Sequence, residues 1–277
     1  MKLSLSVRIV EAACKTKLNI PFADLVEIAK EMGYSAICMR ASAGGVQTPI
    51  DQLQRMRETV DRAGLVVSMV TADSDVPLNN ENGPNSLRDI GPSLDVAAAL
   101  GSDLIRICMK TPEDIDHARR AADLAGERGI RLAHQCHTTS LFEQVEPSLE
   151  ILNKINSPNF GLIYEPANLM LCEQTYGLSV LEQFKPHLFN VYVQNHAVDP
   201  AGPVELETWC LGMRRFRHLP IWETGGVDFG AVFDGLKGIE YDGFFTIHQA
   251  EGIETAEDAH SYAARCHEFV SSSGMVA

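Results

Sequence analysis

The octapeptide Arg131–Thr138, RLAHQCHT, sets two histidines, a glutamine and a cysteine at the end of a short apolar run. Polar side chains buried at a strand's end cost free energy unless a partner, a cavity or a metal satisfies them. Other apolar runs end the same way, in Arg40, in Arg106 within LIRICMK, in Glu165, in Gln194 and His196, and in His248 and Gln249. Alternate residues of a strand share a face. Gln135 and His137 therefore fall with Ala133, while His134 and Cys136 point the other way. Glu165 falls with Gly161 and Ile163, Gln194 and His196 with Tyr192, and His248 with Thr246. Gln135, Glu165, Gln194 (or His196 two residues on) and His248 then make an N/O ligand set for a divalent cation such as Mn²⁺, Zn²⁺, Fe²⁺ or Co²⁺. One carboxylate holds Mg²⁺ poorly, and Ca²⁺ asks for more oxygens.

Such an ion, bound to a carbonyl and the adjacent hydroxyl, stabilises the ene-diolate left when the carbon between them loses a proton. Glu165, His137 and His196 are the expected acid/base groups, with His248 a further candidate. Arg40, Arg106 and Gln249 are expected at the substrate, the guanidiniums on a carboxylate or phosphate. The competing reading for either arginine is a structural ion pair or loop cap, because a buried Arg is nearly always paired.

These residues need a scaffold that brings several strand ends together. The chain repeats one unit: a helix with apolar periodicity, a Gly, a short apolar run, then a polar or Gly/Pro-rich break. PFADLVEIAKEMGYSAICMRAS shows it first, with Leu25, Ile28, Ala29 and Met32 on one helix face and Gly33 as the stop. Similar units lead into LVVSMV, DLIRICM, RLAHQCH, NFGLIY, LFNVYVQNH and FFTIHQA. In the unit TPEDIDHARR, Thr111 is the expected helix N-cap, with Pro112 at the first helical position. With KLSLSV at the start and TAEDAHSYAARCHEFVSS at the end, eight strands alternate with eight helical stretches. Strict alternation means parallel strands with right-handed crossovers, and eight units predict an α/β fold, a closed (β/α)8 TIM barrel, as a single domain over residues 1–277. An open doubly wound sheet is the competitor, but no GxGxxG follows the first strand. The longest irregular stretch, about residues 197–226, reads as an extended loop at the site. It carries Trp209 and Trp222, read as a lid or subunit contact, and the basic run RRFRH, which would attract an anionic substrate or be a solvated loop. In a barrel the chemistry sits at the C-terminal strand ends, where strands one and three end blandly.

Composition narrows the partners. With 23 Lys+Arg against 37 Asp+Glu, the net charge is −14 over 277 residues. Such a surface repels nucleic acid and anionic lipid, so neither is expected as a partner. No apolar run suggests a signal peptide or membrane span, giving a soluble, cytoplasmic expectation. The seven cysteines lack paired CxxC spacing and are expected as reduced thiols.

The segments SPNFGLIYEPANL, KPHLFNVYVQNH and YDGFFTIHQAE, together with AAALGSDLIRI, resemble the xylose-isomerase-like barrel superfamily of sugar isomerases and epimerases, of which endonuclease IV is a distant relative. The likeness covers nearly the whole chain. For the sugar-epimerase branch it implies one metal, held by Glu, Asp, His and Glu on strands five to eight, with both Glu residues doubling as acid and base. This sequence departs at each place: Gln135, Glu165, Tyr192 (or Gln194) and His248 stand there, and Asn168 replaces a His. The implied function is a metal-dependent isomerase or epimerase of a small sugar or keto-sugar acid, working through an ene-diolate. The lost Glu pair and the arginines point to an alternative, a carbon–carbon lyase or decarboxylase of an oxidised sugar acid. A non-catalytic sugar-binding barrel is the third reading. The expected partner is a small carbohydrate, in a chain that could form a homo-oligomer.

Overall fold

Runs of Val, Ile, Leu and Met shorter than a helix needs become the strands. In chain order these are β1 (Lys2–Ser6), β2 (Ala36–Met39), β3 (Val66–Thr71), β4 (Leu104–Ile107), β5 (Arg131–Gln135), β6 (Phe160–Tyr164) and β7 (Leu188–Val193). The chain then departs into β8 (Asn195–Val198), β9 (Val204–Thr208) and β10 (Gly212–Leu219), and returns as β11 (Phe244–Ile247). The computed structural model describes residues 1–72 and 80–275. In it β1 pairs in parallel with both β2 and β11, closing a ring in the order β1-β11-β7-β6-β5-β4-β3-β2. The expected (β/α)8 barrel is thus realised in one domain.

Ten helices accompany the strands: α1 (Phe22–Glu31), α2 (Ile50–Arg62), α3 (Asn85–Arg88), α4 (Gly91–Leu100), α5 (Asp114–Gly126), α6 (Val145–Ile155), α7 (Pro166–Leu171), α8 (Leu178–Phe184), α9 (Phe229–Gly238) and α10 (Ala256–Ser272), among the described residues. The count exceeds the eight expected because NSLRDIGPSLDVAAAL divides into α3 and α4, and Pro166 starts the extra helix α7 directly after Glu165. The amphipathic rows behave as their periodicity demands, with Leu25, Ile28 and Ala29 of α1 buried. The start of α5 corrects the sequence reading. Thr111 does not cap it; the helix begins at Asp114, whose carboxylate turns back to accept the N–H groups of Lys110 (2.8 Å) and Thr111 (2.9 Å).

Strand parity separates two cores. Side chains turned inward fill the barrel: Cys38, Met69, Leu104, Ala133, Ile163 and Tyr192 form one cluster. Those turned outward join the helices in a larger core, which includes Cys136 and Phe142. Polar side chains inside the ring are paired, Ser4 with Ser68 at 2.7 Å and Thr246 with Asn190 at 3.0 Å, as burial requires. Gly161 admits close approach between β6 and β7, since a Cβ there would lie 2.5 Å from the His187 carbonyl oxygen and 2.6 Å from the Phe189 ring.

The stretch expected as an extended loop is a folded insert. β10 pairs antiparallel with β8 and β9. Asn195 ties exit to return, its Nδ2 donating to the carbonyls of Pro220 (3.0 Å) and Glu223 (2.9 Å) while its Oδ1 accepts from the Val227 N–H (2.9 Å). The two tryptophans separate. Trp209, at the hairpin tip, is exposed. Trp222 packs on Tyr262 and beneath the Arg265 guanidinium.

Candidate active site

Closing the ring gathers the polar strand ends at one mouth. Gln135 is the last residue of β5; Glu165, Gln194 and His248 are the first residues beyond β6, β7 and β11; Arg106 is within β4 and Arg40 directly follows β2. All six are buried.

Glu165 is the centre of this group. Its Oε2 accepts hydrogen bonds from Gln135 Nε2 and from Asn168 Nδ2 (3.0 Å). Asn168, on α7, is itself fixed by donating to the Cys136 carbonyl at 2.8 Å. Burial raises the Glu165 carboxyl to about 8, against the opposing pull of Arg106 and the Gln194 side chain. His248 stacks on Tyr192, with ring centroids 4.1 Å apart and planes at 15°. Burial, then Arg40, Arg106 and Arg8, hold its imidazole well below the usual range, so it is neutral. The Arg106 guanidinium lies 5.9 Å from the Tyr192 ring centroid.

Four buried atoms at this mouth have no hydrogen-bond partner among the described residues: Gln135 Oε1, Glu165 Oε1, His248 Nδ1 and Arg106 Nε. Each unsatisfied group costs about 1–3 kcal/mol. Four together mark a place built to be completed by a ligand. A cation would meet Gln135 Oε1, Glu165 Oε1 and His248 Nδ1, an amide oxygen, a carboxylate oxygen and an imidazole nitrogen. That donor set fits a borderline divalent ion such as Zn²⁺, Mn²⁺, Fe²⁺ or Co²⁺, with Gln194 beside it. Arg106 Nε–H asks instead for an acceptor, the role a substrate oxygen would fill.

The other expected site residues separate. Parity holds for the opening octapeptide: His134 leaves the site and stacks on Phe142 at 4.3 Å, where burial takes its imidazole down to about 3. His137 is half-buried, its Nδ1 3.0 Å from the Thr138 carbonyl oxygen, and burial followed by Arg106 lowers its pKa. His196 does not extend a barrel strand. β7 stops at Val193, and His196 lies in the insert sheet, packed on Phe216 with its Nδ1 3.0 Å from that of His218. Gln249 Nε2 is 2.8 Å from His218 Nε2. Gln194, His218, Gln249, Glu251 and Tyr262 line a cavity of about 100 Å³ where the insert meets the mouth.

Arg40 belongs to an ion-pair network that sequence reasoning missed. Its Nε donates to Glu11 Oε1 at 2.7 Å; Ser42 donates to the same oxygen at 2.5 Å, and Arg8 lies 3.2 Å from the other. Strand one therefore does not end blandly, since Glu11 follows it after a single 3₁₀ turn. The available signal was the arginine itself: a buried Arg40 demands a carboxylate. Arg106 has no such partner within ion-pair distance among the described residues.

Comparison with known proteins follows the fold. Over 157 residues the chain is 22% identical to inosose dehydratase of Geobacillus thermodenitrificans, covering 56% of this chain and 52% of the relative, so the match spans about half that protein's length. D-allulose 3-epimerase from Methylomonas sp. superposes with a TM-score of 0.71 at 15% identity, covering 99% of this chain and 98% of that one. The IOLI protein solved with a zinc atom superposes at 0.69 with 18% identity, covering 98% and 99%. These similar proteins include a dehydratase and an epimerase, and one of them holds a divalent metal. A family model described as the xylose isomerase-like TIM barrel matches residues 26–266. This chain belongs to the xylose isomerase-like TIM barrel family.

Proposed function

We propose that this protein is an isomerase or epimerase of a small sugar or keto-sugar acid, working by proton removal from the carbon beside a carbonyl. The observation that carries the reading is the set of four buried, unbonded atoms at the mouth, with Glu165 Oε1 and Arg106 Nε complementary in role. Polyhydroxylated substrates present both hydroxyl donors and carbonyl acceptors, so one small carbohydrate can meet all four. Glu165, in its ionised form, takes the proton as the C–H bond breaks, and the electron pair moves through the new C=C bond onto the carbonyl oxygen. Arg106 Nε–H donates to that oxygen as its charge grows. Gln135 and Asn168 orient the carboxylate; once the adjacent hydroxyl has passed its proton to the former carbonyl oxygen, return of the first proton to the neighbouring carbon leaves a carbonyl at the adjacent position and completes an isomerisation. A divalent ion held by Gln135, Glu165, Gln194 and His248 would act as a Lewis acid on the substrate oxygens. His137 stands by as a second proton-transfer group. The similar dehydratase fits the same frame, because loss of water beside a carbonyl also begins with α-proton removal.

A second reading rests on one observation, the buried Arg106 without an ion-pair partner among the described residues. A substrate carboxylate would supply that partner, and loss of CO₂ would reach the same ene-diolate in a lyase. Incubation with ketoses and keto-sugar acids in D₂O, with Mn²⁺ or Co²⁺ and again after chelation, tests both. Deuterium entering the α-carbon without CO₂ supports the isomerase; CO₂ release supports the lyase. Absence of both, with wild-type protein folded and metal supplied, overturns the enzymatic reading.

A further inference from the structure

A second convergence of ligand atoms lies apart from the four strand ends. Glu143 stands between β5 and α6, Cys172 directly follows α7, and Cys210 sits in the turn joining β9 to β10. One ligand atom from each lies within 4.8 Å of the other two, the sole such grouping of His, Cys, Asp or Glu among the described residues. Glu143 and Cys172 are buried and Cys210 partly so. We infer that this trio is a zinc site that fastens the tip of the insert hairpin to the barrel.

The donor chemistry selects the ion. Two sulfurs and one carboxylate favour Zn²⁺ over the hard cations that oxygen-only sites take, and set this cluster apart from the nitrogen and oxygen donors of the mouth. Tetrahedral zinc, with bonds of about 2.3 Å to sulfur and about 2.0–2.2 Å to oxygen, spaces its ligand atoms roughly 3.5–3.8 Å apart. The trio therefore needs to contract by at most about 1.3 Å, a movement that side-chain rotation on the Cys210 turn can supply. Binding exchanges two S–H bonds for two S–Zn bonds and releases two protons, with no change of oxidation state.

The carboxylate is already fixed for the task. Glu143 Oε2 accepts the N–H of Thr139 at 2.6 Å and of Trp209 at 2.9 Å, and its Oε1 accepts the N–H of Cys210 at 2.7 Å. Hydrogen bonds of this kind orient a ligating carboxylate, and Oε1, which accepts a single bond, keeps a lone pair for the metal. Three anionic ligands around Zn²⁺ leave one negative charge. Arg214, which also pairs with Glu173 at 3.0 Å, lies close enough to act electrostatically on Cys172, and its buried Nε has no hydrogen-bond partner among the described residues. The fourth coordination position falls to water from the adjoining cavity of about 270 Å³, which Ser140, Gln144, Glu150 and Trp209 line. From this tip β10 runs to His218, against Gln249 at the mouth, so fixing the tip also fixes a wall of the candidate active site.

The test is metal content of the whole protein after exposure to equimolar Zn²⁺ and desalting. Wild type is expected to retain about one zinc per chain. Glu165→Gln/His248→Ala, which removes two ligands at the mouth, should retain it, and adding Cys172→Ser or Cys210→Ser to that background should take it below about a tenth, which separates this site from any metal at the mouth. Co²⁺-loaded wild type should show a near-ultraviolet sulfur-to-cobalt charge-transfer band, a readout that needs no variant to fold. Zinc that survives both cysteine substitutions in the Glu165→Gln/His248→Ala background, a wild type without bound zinc, a missing charge-transfer band, or a Cys172–Cys210 disulfide in the isolated protein would each overturn the site.

Discussion

Two arginines reach the barrel mouth from neighbouring parts of the ring, and their surroundings differ. Around Arg40, Glu11 gathers two guanidiniums and the Ser42 hydroxyl, so charge is met by charge within the protein. Around Arg106, the nearby groups are Gln135, Glu165 and His248, and each of the four residues keeps one buried atom unbonded. In the first region Glu11 Oε2, although it accepts no hydrogen bond among the described residues, has the Arg8 guanidinium 3.2 Å away. The second is completed only by something that binds. Burial alone therefore does not distinguish a structural polar group from a functional one, nor does a single unbonded atom such as His134 Nε2; several unbonded atoms gathered at one mouth do.

Substitutions can break that contrast. The largest effect is expected at Glu165→Gln, which should lower α-deuterium exchange by about 10²–10⁴-fold without lowering the melting temperature, because a costly buried carboxyl is removed. Arg106→Met should follow with a loss of about 10²–10³-fold in exchange and a melting temperature unchanged or raised, since no ion pair is lost. Glu11→Gln should do the reverse. It leaves two guanidiniums without their carboxylate and should destabilise by about 3–5 kcal/mol in denaturant unfolding. A Glu11→Gln protein as stable as wild type would remove the structural half of the comparison. Gly161→Ala should cost about 1–3 kcal/mol through overpacking between β6 and β7, again read by denaturant unfolding.

The smallest effect is pH-dependent. His134 titrates near its ordinary value when unfolded and at about 3 when folded. Above the unfolded value both states are neutral and pH has no effect. As pH falls below it, the unfolded state takes up the proton first, and stability is lost progressively down to the folded value. His134→Phe, which keeps a ring against Phe142, should flatten this acid limb. The gain over wild type near pH 5 should be on the order of 1–2 kcal/mol relative to neutral pH. An unchanged slope of stability against pH would show that other groups set the acid limit.

Legibility followed the range of the interaction. His134 and Cys136 could be assigned to the outer face, and Gln135 to the inner one, because alternation along a strand is local geometry. His196 could not be placed by the same rule. Parity carries over only while the strand continues, and the chain leaves the barrel between Val193 and Asn195. Asn195 fixes that departure through bonds to residues 25–32 positions away, a pairing no local pattern contains. Trp209 was noticed for its ring, whereas its backbone N–H is what docks on Glu143, 66 residues distant.

The sequence by itself determined the repeating units, the closed barrel and the strand ends that carry polar side chains, because hydrophobic periodicity and turn residues act over a few neighbours. Only the tertiary structure decided which of those side chains are already satisfied. Glu11 neutralises Arg40 across 29 residues, while Arg106 finds no counterpart among the described residues. Charge pairing depends on distance in space after the ring has closed. A chain with 37 acidic residues offers many candidate partners for each arginine, and the fold selects among them.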